Sequence, residues 1–121
     1  MAAFYGCSDV VQHLLSRGAG IDIKDIIGWT PLHLAARNGH SNVVQHLLDG
    51  GAGVDIKNNV DGETPLHRAA WDGRYNVVQH LLDRGAGIDA KNNGGSTPLQ
   101  LAEQQKHVDV VALLKAKGGK K

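Results

Sequence analysis

The hexapeptide Val-Val-Gln-His-Leu-Leu occurs at residues 10–15, 43–48 and 77–82, and a degenerate copy begins at Val110. These starts are separated by 33, 34 and 33 residues. Thr-Pro-Leu recurs at Thr30, Thr64 and Thr97, and Gly-Ala-Gly begins at Gly18, Gly51 and Gly85, in the same register. The single extra residue lies between Lys57 and Thr64. Three independent markers thus keep one period, and a period of about 20–50 residues marks a stack of small units rather than one globular core.

The chemistry within a unit explains its shape. Thr30 is a good helix cap, because its hydroxyl can accept from the backbone N–H of His33. Pro31 takes the first helical position, where the missing N–H costs nothing. Leu32, Leu34, Ala35 and Ala36 continue a short helix, and Gly39 stops it in the left-handed conformation. Ser41 and Asn42 are expected to cap a second helix, whose apolar face is Val43, Val44, Leu47 and Leu48. Gly51 ends it, and the polar residues around Asn58, Asn59, Asp61 and Gly62 suit a hairpin-like loop. Helices of about 8 to 10 residues are not stable alone in water. Each unit must therefore bury its faces on its neighbours. The pairs Ala35-Ala36 and Ala69-Ala70 would let adjacent helices approach closely.

The remaining composition narrows the class. A chain of 121 residues suits one domain. Thirteen basic residues against 12 acidic ones give no overall field for nucleic acid or an anionic membrane. Cys7 is the sole cysteine, which excludes an internal disulfide and agrees with an intracellular, cytoplasmic location. No apolar run approaches the roughly 18 residues of a membrane span. Residues 1–6 lack the basic and apolar segments of a secretory signal.

The strings Gly28-Trp29-Thr30-Pro31-Leu32-His33-Leu34-Ala35-Ala36 and Gly62-Glu63-Thr64-Pro65-Leu66-His67-Arg68-Ala69-Ala70 resemble the ankyrin-repeat signature, and Gly39-His40, Val43-Val44 and Gly51-Ala52 fill the rest of its pattern. The resemblance covers essentially the whole chain. It implies an all-α solenoid of stacked units, each a β-hairpin or loop followed by two helices. The expected domain is residues 1–117: a partial unit at 1–24, units at 25–57 and 58–91, a C-terminal cap at 92–117, and a flexible tail at 118–121. Gly20, Gly53 and Gly87 stand where the family commonly carries Asp, which would loosen the start of the hairpin. Gln100, Glu103 and Lys115 make the last unit polar, as a terminal repeat requires. The first unit lacks its hairpin and the start of its first helix, which leaves an uncapped N-terminal face. A truncated chain, a naturally short one, a close-copy engineered one, or a face that packs on a partner would each produce this.

Seven histidines invite a metal or acid–base reading. In the resembled family, His33 and His67 link helices and loops by hydrogen bonds. His13, His46 and His80 form a ladder at the repeat period. Helices about 8–10 Å apart place its rungs too far from one another for a shared zinc, whose bonds to nitrogen are about 2.0–2.1 Å. Charging such a ladder would lower stability at mildly acid pH. Cys7 has no recurring acid or base partner, and no Gly-rich run ends in the Gly-Lys-Ser/Thr of a phosphate cradle. The expectation is no catalysis, no cofactor and no metal.

The resemblance implies partner contacts at hairpin tips and first-helix ends. Those positions are Phe4, Tyr5, Ile26, Ile27, Trp29, Arg37, Asn38, Asp61, Glu63, Trp71, Asp72, Ser96, Gln104 and Gln105. Four of the five aromatics fall on this set, and Trp, Tyr and Arg most often dominate binding energy. Alternatively, Trp29 and Trp71 pack between units, and Phe4 and Tyr5 plug the open end. The function expected is protein–protein interaction with another protein, without specific nucleic-acid or membrane binding. A self-associating element using the N-terminal face, or a piece of a larger repeat protein, is the alternative.

Overall fold

The structure is a computed structural model that describes residues 29–58 and 61–119. Among them six helices alternate in two layers. The first helices of successive units are α1 (Pro31–Asn38), α3 (Pro65–Trp71) and α5 (Pro98–Gln104). The second helices are α2 (Ser41–Asp49), α4 (Tyr75–Asp83) and α6 (Val108–Ala116). First helices stack on first helices and second on second, each pair also packing within its unit. The first-helix layer is the more closely packed, for a simple steric reason. Ala35, Ala36, Ala69, Ala70 and Ala102 are all 0% exposed there, so no side chain holds the backbones apart. Leu32, Leu66 and Leu99 from this layer meet Val43, Val44, Leu47, Val77, Val78, Leu81, Val110 and Leu114 from the other in one continuous core.

The motif threonine and histidine perform two tasks at once. Thr30 accepts from the backbone N–H of His33, and Nδ1 of His33 accepts from the backbone N–H of Thr30 at 3.2 Å. Thr64 and His67 repeat this capping box, with 3.1 Å for the second bond. The far nitrogen leaves the unit: Nε2 of His33 donates to the Glu63 carbonyl at 2.8 Å, and Nε2 of His67 donates to the Ser96 carbonyl at 2.9 Å. A carbonyl only accepts and a backbone N–H only donates, so each ring is neutral with its proton on Nε2. The last unit shows the logic by subtraction. Oε1 of Gln100 still accepts from the Thr97 N–H at 2.9 Å, and among the described residues this side chain makes no bond to another unit. A shorter side chain suffices.

A second tie runs the other way along the stack. Nε of Arg74 donates to the Arg37 carbonyl at 3.2 Å, and Nε2 of His107 donates to the Trp71 carbonyl at 2.9 Å. These residues stand at the N-caps of α4 and α6 and reach back over the preceding unit's turn. That turn must be glycine. Gly39 and Gly73 have φ of 72° and 70°, and a Cβ on them would lie 2.9 Å from Arg74 Cδ and 2.5 Å from His107 Nδ1. The corresponding residue of the last unit is Lys106, left-handed at φ 59°.

Several expectations change. Ser41 and Asn42 do not cap α2; the helix begins at Ser41, and His40 is its N-cap, without a side-chain capping bond to the helix. The implied hairpins are turns, with no strand among the described residues. Their closure falls to asparagine. Asn58 Oδ1 accepts from the N–H groups of Asp61 and Gly62, and Asn92 Oδ1 from those of Gly94 and Ser96, all between 2.9 and 3.0 Å. Gly87 is not loose, because both oxygens of Asp55 accept from its N–H at 3.0 and 3.1 Å. An Asp at 87 would bring a second carboxylate toward Asp55. The tail expected to be flexible from 118 begins as a helix stop: Gly118 donates to Lys115 and Gly119 to Leu114, at 3.1 and 2.8 Å.

Burial pushes the His67 imidazole below its ordinary pKa of 6.5, and its bond to the Ser96 carbonyl opposes this only in part. The unfolded chain therefore binds the proton first as pH falls. The contribution of His67 is complete above about pH 6.5 and is lost as pH drops toward the depressed folded value. Urea denaturation from pH 7.5 to 5.5 is expected to show falling stability. His67→Gln, which keeps the cap and loses the inter-unit bond, is expected to cost about 1 kcal/mol at neutral pH and to reduce that slope. Gly73→Ala is expected to cost about 2 kcal/mol or more, from the left-handed backbone and the displaced His107.

Candidate protein-binding surface

Glu63 and Ser96 each precede a motif threonine, as Trp29 does, and their carbonyls receive the imidazoles of the preceding unit. The backbone carries the link, so the side chain at this position is free to vary among Trp, Glu and Ser. One rung inward, Leu34 and Leu101 are buried at 6% and 5% exposed. The corresponding residue of the middle unit is Arg68. A guanidinium thus stands where the other units put leucine.

Arg68 assembles the site. Its NH1 nitrogen donates to Glu63 Oε1 at 3.1 Å and its Nε to Asp72 Oδ2 at 3.4 Å. The same guanidinium lies 5.9 Å from the ring centroids of both Trp29 and Trp71. Arg37 covers Trp29 at 5.5 Å, and the Trp29 ring meets that of His33 at 5.9 Å, tilted by 43°. Cation–π contacts strengthen when water is excluded, and the Arg68 side chain is only 17% exposed. Tryptophans from two units are joined through one cation, which is itself held by two carboxylates.

The Glu63 carboxyl bears a cost. Burial raises its pKa above 4.5; the attraction of Arg68 and a hydrogen bond from Asn92 oppose the shift, and the nearby Asp61 adds to it. Burial outweighs the counter-ion, so this carboxylate is held charged at the expense of stability.

The sequence-named residues separate into groups. Trp29, Arg37, Glu63, Trp71 and Asp72 come together around Arg68. Trp29 and Glu63 are only 8% and 5% exposed, so they brace the surface and offer little area of their own. This agrees with the packing alternative for Trp29. Trp71 and Asp72 are half-buried and Arg37 is exposed. Asn38 is occupied, its Nδ2 donating to the Leu34 carbonyl at 2.8 Å. Asp61 and Ser96 are half-buried on the loop side, and Gln104 and Gln105 are exposed at the end of α5. Phe4, Tyr5, Ile26, Ile27 and the uncapped N-terminal face lie outside the described residues. Arg68 was not among the residues named from sequence, although a charge on an otherwise leucine rung was the available signal.

The rest of the molecule has less chemistry to offer. On the second-helix side Gln45 Nε2 lies 3.1 Å from His80 Nε2 and Arg84 pairs with Asp49. Among the described residues no group of three His, Cys, Asp or Glu could hold a metal ion, and no helix is long and apolar enough to cross a membrane.

A family model for ankyrin repeats, three copies long, matches residues 1–92. No curated protein matches the chain. Ankyrin repeats are in general protein–protein interaction modules and in general non-catalytic. The match spans most of the chain, and the capping boxes and two-layer stack agree with it: this chain belongs to the ankyrin-repeat family.

Proposed function

We propose that the protein binds a partner protein on the first-helix and loop face of the stack, with Trp71 as the main contact, and that it catalyses no reaction. The observation that supports this most is Arg68. An arginine on a leucine rung, paired with a carboxylate whose pKa burial has raised, does not serve stability best. Replacing a buried ion pair by apolar residues is often neutral or stabilising. What the pair does provide is a fixed orientation for Trp71 between Arg68 and the helix end. A half-buried aromatic ring held by its neighbours loses little entropy on binding.

Arg37 and Gln104 stand at the register position of Trp71 in the units on either side, Asp72 and Gln105 follow Trp71 and Gln104 in sequence, and Asn38, Asp61 and Ser96 extend the same proposed face. Phe4, Tyr5, Ile26 and Ile27 belong to this reading by register alone. Trp29 and Glu63 enter it as braces.

The test is recovery of partners from a lysate by cross-linking, comparing the wild type with Trp71→Ala and with Gln79→Ala on the opposite, second-helix side. Trp71→Ala is expected to weaken the specific complex by about 2 kcal/mol while the melting temperature changes little. Equal recovery with both variants sinks the assignment. The double variant Arg68→Leu/Glu63→Gln is expected to be as stable as the wild type, or up to about 2 kcal/mol more stable, and yet to bind less. Thermal melts and the same recovery assay check both halves.

A further inference from the structure

The turns between first and second helices carry three exposed cations, Arg37, Arg74 and Lys106. The Arg74 side chain lies against Gly39, its Cδ, Nε and Cζ all within 3.2 Å of where a Cβ would stand. The His107 ring lies in the same way against Gly73. In the last unit Lys106 itself occupies the left-handed turn. The first turn thus presents the cations Arg37 and Arg74 and the last presents Lys106, while the middle turn carries the imidazole of His107. Among the described residues the ion pairs are carried by Arg68 and Arg84; Arg37, Arg74 and Lys106, all exposed, enter none of them. Between the first two turns lies an open cleft of about 230 Å³, whose lining includes Ser41, Arg74, Tyr75 and Asn76. Tyr75 is 38% exposed.

Lys106 is the pointed observation. The steric reason for glycine at Gly39 and Gly73 is a side chain of the next unit, and among the described residues no such side chain lies over Lys106. The left-handed backbone still disfavours any side chain with a Cβ, and Lys106 is the only non-glycine residue with positive φ among those described. A strained backbone conformation that adds charge to an existing row motivates a functional reading.

We infer that this edge docks an acidic, extended segment of a partner protein. Carboxylates would approach the cations of the first and last turns, and the hydroxyls of Ser41 and Tyr75 and the amide of Asn76 offer hydrogen bonds in the cleft between. Packed helices are about 8–10 Å apart and an extended chain rises about 3.3 Å per residue, so acidic residues at every third position match the rungs. Nucleic acid fits less well. Asp72 and Asp109 flank the row, and the chain's 13 basic residues are almost balanced by 12 acidic ones, which leaves little field for a continuous phosphate backbone. The row shares Arg37 with the first-helix face and otherwise uses different side chains.

The test is fluorescence anisotropy at low salt with a labelled peptide carrying Glu at every third position. The variants are Arg74→Gln, Lys106→Gly and, as a control, Lys115→Gln on α6. Arg74→Gln and Lys106→Gly are each expected to weaken binding several-fold, and together about tenfold. Lys106→Gly is also expected to raise the melting temperature by about 2–5 °C as the backbone strain is relieved. Loss of binding with a gain in stability is what a structural role for Lys106 would not produce. Unchanged affinity in Lys106→Gly overturns the proposal, as does an equal loss in Lys115→Gln. Tighter binding of a single-stranded oligonucleotide of the same charge overturns the choice of partner. Trp71→Ala leaves the peptide bound, so failure here and failure of the first-helix face are separable.

Discussion

The stack depends on two imidazoles, His33 and His67, each with both nitrogens fixed. His33 and His67 use Nδ1 to complete the cap of their own helix and Nε2 to hold the backbone of the next unit. Helices of seven to nine residues are too short to be stable alone, and the ring joins the event that starts a helix to the event that stacks it. The Nδ1 bond requires the neutral ring, so the cap and the protonation state are linked. Apolar burial supplies most of the driving force, but it does not set register; the directional bonds do.

A complementary tie strengthens the opposite end of each first helix. Arg74 and His107 reach back to carbonyls of the preceding unit, across glycines that leave room for them. The histidine links run forward and these run backward, so neighbouring units are held at both ends of the first helix. Arg68 adds a third connection on the same layer, between Trp29 and Trp71. It differs in kind, because it replaces an apolar side chain with a charge and obliges Glu63 to stay ionised against burial. The first two ties build the stack, whereas the third orients a surface.

Much of this was legible in the residues. The period, the threonine caps, the helix stops, the alanine contacts and the polar last unit follow from short-range rules applied to each unit in turn. The misses share a cause. Sequence register placed Trp29 and Glu63 among the expected partner contacts but could not show that neighbours bury them. Arg68 passed unnoticed because its rung is an inward one, and its meaning appears only when two tryptophans and two carboxylates converge on it. Gly87 looked like a weak point until Asp55 of the preceding unit was seen to hold its amide. Gly118 and Gly119 looked like the start of a loose tail until their N–H groups were seen to close α6.

By itself, then, the sequence determined the unit and its multiplicity: where helices start, where they stop, and which faces must be covered. Those outcomes depend on residues within a few positions of one another, and a repeated string repeats them. The tertiary structure alone decided which variable side chains remain available to a partner. Stacking places residues some 30 positions apart in contact, and the Arg68 guanidinium over Trp29, Arg74 against Gly39 and His107 against Gly73 are all supplied by the neighbouring unit.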